Sequence, residues 1–198
     1  MSTPNKLRGM AEVEEEEQVE TEELDPEVRA RRSAALAHVR KLGDPVLRTR
    51  AREVDRFDEE LREEVRRMGR LMHDAMGIGL AAPQVGVSHR VLVYRVEPES
   101  PLNALVNPEI VWSGEETETL EEGCLSLPAV HVDVERPVHV RVKARDEHGE
   151  EIVVEASGLE ARVIQHELDH LDGVLILDRT TKDQRKAAMR ALREMQAA

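Results

Sequence analysis

His166-Glu167-Leu168-Asp169-His170 sets two histidines four residues apart. On an α-helix that spacing puts both imidazoles on one face, about one turn from each other, so both can reach a single metal ion while Glu167 stands beside it as a base. The flanking residues argue for a helix of ordinary length. Ser157 and Glu160 have the spacing of a capping box, Leu159, Val163, Ile164, Leu168 and Leu171 recur as an apolar stripe, and Gly173 stands where a helix should stop. Such a pentapeptide also arises incidentally on polar helix faces, so its reading depends on whether the chain supplies a third ligand.

Downstream the choices are poor. In the metzincin pattern H-E-x-x-H-x-x-G-x-x-H, Gly173 falls at the glycine but Ile176 takes the place of the third histidine. The only glutamate after His170 is Glu194, near the chain end in a basic stretch, which argues against a zincin-type endopeptidase. A structural zinc module would need four ligands, and His38, His73, His89, His139 and His148 show no ligand spacing. Upstream, Glu122-Gly123-Cys124-Leu125-Ser126-Leu127-Pro128 holds the chain's single cysteine. A lone cysteine is more often a small buried apolar residue than a ligand. A third run, Gly77-Ile78-Gly79-Leu80-Ala81-Ala82-Pro83-Gln84-Val85-Gly86, is glycine-rich but lacks the Lys-Ser/Thr of a phosphate loop.

Together the three blocks G-x-G-L-A-A-x-Q, E-G-C-L-S and Q-H-E-x-D-H resemble those of peptide deformylase, in that family's order and at plausible separations. The similarity runs from about Val39, through Gly43-Asp44-Pro45-Val46-Leu47-Arg48, to about Asp178. The resemblance implies a metal-dependent hydrolase that removes the formyl group from the amino-terminal methionine of new polypeptides and releases formate. It implies Cys124, His166 and His170 as metal ligands, three protein donors that leave a position open for water. It gives Glu167 the acid/base role and places the side-chain amide of Gln84 and the backbone N–H of Leu125 against the developing oxyanion. Ile78, Leu120, Leu159 and Val163 would line the methionine pocket, with Gly79 and Gly123 also on the substrate side. The implied ion is Fe(II), and the mixed thiolate and imidazole set also suits Zn, Ni or Co. Two positions depart from the family pattern: Arg162 takes an often apolar place at the pocket edge, and His131 stands where many members carry an arginine that holds the peptide backbone. Both bear on substrate affinity rather than on the chemistry.

The remaining sequence is consistent with one small catalytic domain. The chain has 198 residues, no internal repeat and only three aromatic residues, Phe57, Tyr94 and Trp112, so its core must come from aliphatic side chains and methionine. No apolar run approaches the roughly 20 residues of a membrane span, and no secretory signal pattern opens the chain. One cysteine cannot form an internal disulfide, and the cytoplasm is the natural compartment for a reduced thiolate. Of the formal charge of −13, residues 1–26 carry −7, from eight glutamates and Asp25 against Lys6 and Arg8. Residues 1–25 are expected to be an acidic disordered tail.

Asp25 and Pro26 should then cap and start a helix in an amino-terminal extension over residues 26–38, followed by the catalytic domain over 39–198. Leu61, Val65, Met68, Met72 and Ala75 predict a second helix after Asp58. Strands are predicted over residues 90–96, 104–112, 138–144 and 151–156, the last two joined by a turn at Asp146-Glu147-His148-Gly149. Thr181 and Gln184 should open a final helix. The order argues for an α+β fold, antiparallel sheets packed around a central metal-binding helix, with amino- and carboxyl-terminal helices. By charge alone Lys182, Arg185, Lys186, Arg190 and Arg193 read first as a solvated helix face. The resemblance implies formylated nascent peptides as partners and ribosome contact through this basic run, and neither membrane nor DNA is expected.

Overall fold

Residues 24–197 are described by the structure, a computed structural model. All but the last two residues of the expected acidic tail therefore lie outside the described residues. Asp25 accepts a hydrogen bond from the Glu27 N–H at 2.8 Å and caps helix α1 (Pro26–Leu36), with Pro26 in its first turn, where a missing N–H costs nothing. Asp58 does the same for α2 (Glu59–Asp74), accepting from the N–H groups of Glu60 and Leu61 at 3.1 and 3.3 Å. The predicted stripe of α2, Leu61, Val65, Met68 and Met72, is buried.

The strands are β1 (Gly79–Ala81), β2 (Val91–Tyr94), β3 (Asn103–Ser113), β4 (Thr117–Cys124), β5 (Leu127–Pro137), β6 (His139–Arg145) and β7 (Glu151–Ser157). Five form one antiparallel sheet in the order β1-β2-β3-β6-β7, while β4 and β5 pair with each other as a separate two-stranded sheet. All four residues of β2 are buried because both faces are covered. Val91 and Val93 pack with α2, whereas Leu92 and Tyr94 pack with the helix that carries the pentapeptide, α3 (Gly158–Leu171). Alternation along four residues thus joins two layers of core.

Helix α3 lies between the five-stranded sheet and the β4–β5 hairpin. Ala161, Ile164, Leu168 and Leu171 face the sheet. On the hairpin side, Val130, Val132 and Val134 of β5 pack with Leu175, with Ile176 and Leu177 of α4 (Ile176–Arg179), and with Ala188 and Leu192 of α5 (Lys182–Ala197). Thr181 Oγ1 accepts from the Gln184 N–H at 3.3 Å, and the Gln184 amide clasps Asp133 of β5, accepting from its N–H at 2.8 Å and donating to its carboxylate at 2.6 Å. The carboxyl-terminal helix is therefore pinned at its first turn. None of the helices among the described residues is long and apolar enough to cross a membrane.

The α+β arrangement and the β6–β7 turn match the sequence expectation, and three details differ. Ser157 makes no side-chain cap to α3 among the described residues, and Glu160 turns to the sheet and accepts from the Tyr94 hydroxyl at 2.9 Å. Leu159 is not part of the buried stripe but 51% exposed. The β4–β5 hairpin was not predicted; β5 does carry a period of two at Val130, Val132 and Val134, but Pro128 and Ala129, which has φ +55°, break the pattern at its start.

Gly173 ends the approach of α3 with φ +73°, and a Cβ there would sit 2.8 Å from the Arg48 carbonyl. Gly173→Ala should therefore destabilise the fold by about 1–3 kcal/mol, through left-handed strain and this backbone clash. Urea unfolding checks it: the midpoint should fall with the slope unchanged.

Candidate active site

Cys124 is the last residue of β4, at a shift in register with β5 that lies between Gly123 and Cys124. Such irregularities re-aim side chains, and here the thiol meets α3. Its Sγ lies 3.3 Å from His170 Nε2, and the donor atoms of Cys124, His166 and His170 all fall within 4.8 Å of one another. The two imidazoles are edge to face, 5.1 Å between centroids, within the reach that their four-residue spacing on a helix allows. A single ion with bonds of about 2.0–2.3 Å could engage all three donors after small side-chain adjustments. Among the described residues no other group of three or more His, Cys, Asp and Glu side chains has this geometry. Burial works against ionisation of Cys124, but His170 and His166 outweigh it and hold the thiol well below its usual pKa.

Behind the donors sits a buried ionic network centred on Glu122. Its carboxylate lies 3.0 Å from His166 Nδ1, which leaves Nε2 of that ring for the donor cluster. It also accepts from Arg136 at 2.6 and 2.9 Å and from Arg162 at 2.8 Å. Burial alone would raise the Glu122 pKa, yet Arg136 and His166 pull it down to about 2. Arg136 continues to Asp169 at 2.9 Å, and Asp169 in turn accepts from Arg179 at 2.5 Å. A thiolate, two imidazoles and a carboxylate on the far nitrogen of one imidazole is a donor set suited to a first-row transition ion.

Glu167 is buried on the opposite flank, where its Oε2 has no hydrogen-bond partner among the described residues. Burial pushes its carboxyl upward in pKa, against the pull of His166 and His170. A Cβ on Gly79 would lie 2.4 Å from Glu167 Oε1 and 2.9 Å from Val163 Cγ1, so the missing side chain at Gly79 makes room for the carboxylate. That space is filled from within the protein. Gln84 is oriented by its own carbonyl, which accepts from the Ala81 N–H at 2.8 Å; its Nε2 then points to Ser126 Oγ at 3.3 Å and Cys124 Sγ at 3.8 Å. Leu125 lies in the turn after Cys124, and its carbonyl accepts from Lys41 Nζ at 2.8 Å.

These groups border a cleft of about 480 Å³. Ile78, Gly79, Gly123, Leu159 and Val163 line it, whereas Leu120 lies outside the lining and is 44% exposed on β4. Arg162 borders the cleft as a buried residue whose guanidinium is committed to Glu122 and to the carbonyls of Val134 and Glu118 at 3.0 and 2.7 Å. It does not stand as a bare charge in an apolar pocket. His131 reaches the cleft from β5 opposite Gly123, where a Cβ would lie 2.9 Å from its Nε2. Sequence reading missed Glu122, Arg136 and Asp169. Glu122 was legible two residues before Cys124, and Asp169 inside the pentapeptide, but their meeting at Arg136 depends on the unpredicted hairpin.

The family model described as polypeptide deformylase matches residues 36–186. A peptide deformylase of Picosynechococcus is 50% identical over 145 residues, 72% of this chain and 78% of that one. That of Acidothermus cellulolyticus is 49% identical over 160 residues, 81% and 87% of the two chains. Among solved structures, a Synechococcus elongatus peptide deformylase in complex with actinonin aligns with TM-score 0.75 and 44% identity, covering 77% of this chain and 85% of that one. The Thermotoga maritima enzyme aligns with TM-score 0.70 and 48% identity, covering 72% and 96%. With a family match across most of the described fold and half of the aligned residues shared, this chain belongs to the peptide deformylase family, metal-dependent hydrolases that remove the amino-terminal formyl group of nascent peptides.

Proposed function

We propose that Cys124, His166 and His170 hold the divalent ion, with Fe(II) the physiological metal and Zn, Ni or Co able to occupy the same donors. The observation that carries this reading is the convergence of one thiol and two imidazoles beside a buried carboxylate, Glu167, one oxygen of which has no hydrogen-bond partner among the described residues. When bound, the ion acts as a Lewis acid toward the formyl carbonyl and makes water a better nucleophile near neutral pH.

The protein's own groups do the rest. Glu167 takes a proton from the attacking water as its oxygen joins the formyl carbon, then delivers a proton to the amine as the C–N bond breaks and formate departs. Its raised pKa suits both transfers, because a carboxylate that binds a proton more readily is a better base. Gln84 Nε2, fixed by the bond of its carbonyl to Ala81, and the Leu125 backbone N–H donate to the oxygen as it gains charge. Glu122 accepts from the His166 ring and keeps it in one tautomer. Ile78, Leu159 and Val163 offer the methionine side chain an apolar wall, and Gly79 and Gly123 border the same cleft. We place this reaction in the cytoplasm, where the thiolate stays reduced.

Deformylation of formyl-Met-Ala, run anaerobically with Fe(II) beside the acetylated and unformylated analogues, tests the assignment directly. Only the formyl peptide should be cleaved. Glu167→Gln should retain the metal and lose about 10²–10⁴-fold in turnover; turnover at the parental rate with full metal content would remove Glu167 from the chemistry.

Metal analysis separates the ligands from their support. Cys124→Ala leaves two protein donors and should purify without stoichiometric metal, whereas Glu122→Gln keeps all three donors and should weaken affinity about 10- to 100-fold. Unchanged occupancy in Cys124→Ala would place the third ligand elsewhere.

We further propose that α5 contacts the ribosome. Lys182, Arg185, Lys186, Arg190 and Arg193 are all exposed there, while Ala188 and Leu192 anchor the opposite face. Reversing Arg185, Lys186 and Arg190 to Glu should abolish salt-sensitive co-sedimentation with ribosomes and leave hydrolysis of a free formyl-peptide unchanged. Equal co-sedimentation of variant and parent at low salt would reject the contact.

A further inference from the structure

The turn that follows the thiol is poorly held by its own hairpin. β4 ends at Cys124 and β5 begins at Leu127, so Leu125 and Ser126 form a two-residue connection. Such connections favour turn types with positive φ at one or both central residues, because those types match the twist of the flanking strands. Among the described residues the non-glycine positions with positive φ are Met76, Asn107 and Ala129, so neither Leu125 nor Ser126 supplies that twist. The ladder also breaks directly behind the turn. Cys124 pairs with Leu127 but Gly123 pairs with His131, which leaves Pro128, Ala129 and Val130 out of the register. One residue pair therefore closes the tip, apart from the continuous ladder.

What holds the tip comes from a segment distant in sequence. The Arg40 N–H donates to the Gln84 carbonyl at 2.7 Å, Lys41 Nζ to the Leu125 carbonyl at 2.8 Å, and the Leu42 N–H to the Ser126 carbonyl at 3.0 Å. Three successive residues thus grip the backbone of Gln84 and both carbonyls of the turn, and these are the two places assigned to the oxyanion. Gln84 Nε2 adds a contact to Ser126 Oγ at 3.3 Å, and Leu127 is anchored in the core. Two of the bonds from residues 40–42 are made by main chain and follow from the path of the segment. The third is made by a side chain on the cleft wall, where fixing a lysine costs rotamer entropy. This ammonium makes a charge-assisted bond to the 125–126 peptide unit. The Leu125 N–H is joined to that unit through a single Cα, so a rotation that swings the carbonyl also turns the N–H.

We propose that Lys41 is a positioning residue for deformylation: by holding the Leu125 carbonyl, it keeps the adjacent N–H aimed at the formyl oxygen as charge develops there. The inference rests on the assignment of the Leu125 N–H to the oxyanion. Lys41 itself touches neither the substrate nor the reacting atoms in this role; it acts through the turn.

The experiment uses the full-length enzyme, loaded with Fe(II) for anaerobic kinetics on formyl-Met-Ala and with Zn, which is diamagnetic, for backbone NMR. Lys41→Met keeps the apolar stem and removes the donor. It should bind a full equivalent of metal, leave KM unchanged and lower kcat about 5- to 30-fold, less than the roughly 10²–10³-fold that follows outright loss of an oxyanion donor. In the same variant the amide shifts of Leu125 and Ser126 should move and their order parameters fall below the ~0.85 typical of rigid backbone, while those of β2 stay as in the parent. Lys41→Arg keeps a charged donor of similar reach and should restore most of kcat and of the turn's rigidity. A loss confined to KM would make Lys41 a substrate contact, and a kcat loss that vanishes at about 1 M salt would make it a distant charge. Either result overturns the inference alone, as do shifts and order parameters unmoved at both amides. Failure of the parent to hydrolyse formyl-Met-Ala overturns the oxyanion assignment and the inference with it.

Discussion

The carboxylate of Glu122, withdrawn from water between Arg136, Arg162 and His166, is the constraint on which the rest of this architecture depends. It binds together β4, which ends in Cys124, β5, which carries Arg136, and α3, which carries the two histidines. Each partner alone would be costly to bury, and removing one member of a buried ion pair typically costs about 3–5 kcal/mol because the other is left uncompensated. Such a network contributes little net stability against an apolar core of the same volume. What it fixes is geometry: the hairpin cannot slide along the helix without breaking several charged hydrogen bonds at once, so the thiol and the imidazoles stay in register.

The opposite flank of the site is ordered by packing rather than charge. Glu167 fits only because residue 79 has no side chain, and β1 can approach α3 this closely for the same reason. Contact with β1 and Val163 dehydrates the carboxylate and raises its proton affinity. On one flank, then, a carboxylate is kept ionised by Arg136 and His166; on the other, a second carboxylate, one residue along the same helix from His166, is biased toward accepting a proton. Divergent environments of this kind are how two identical functional groups take different roles.

Local signals carried much of this into the sequence. The caps at Asp25 and Asp58, the stripe of α2 and the β6–β7 turn all follow from contacts within a few residues, and the Gly77–Gly86, Cys124 and His166–His170 blocks brought the proposed site residues together by resemblance. Features that need distant partners were not legible. The capping spacing of Ser157 and Glu160 is genuine, but the Glu160 carboxylate is taken by the hydroxyl of Tyr94, 66 residues earlier in the chain. Arg162 looked like a charge in an apolar pocket because neither its acceptor on β4 nor the carbonyls it reaches could be placed without the hairpin. Leu159 and Leu120 show the converse limit, since an apolar residue at a helix start or on a strand can be exposed where no layer covers it.

Seen around the axis of α3, the pentapeptide divides its five residues among three surroundings. His166, Glu167 and His170 turn to the site, Leu168 turns to the sheet with Ile164 and Leu171, and Asp169 turns to Arg136 and Arg179. Leu168 and Asp169 are therefore not spacers between the histidines. Leu168 ties the helix to the five-stranded sheet, while Asp169 tethers Arg136 from the side away from Glu122 and so holds the guanidinium that holds the carboxylate that orients His166. Because adjacent positions on a helix are about 100° apart, a run of five can address the site, the core and the supporting ions together. The helix that binds the metal is in this way also the one that joins the sheet to the hairpin.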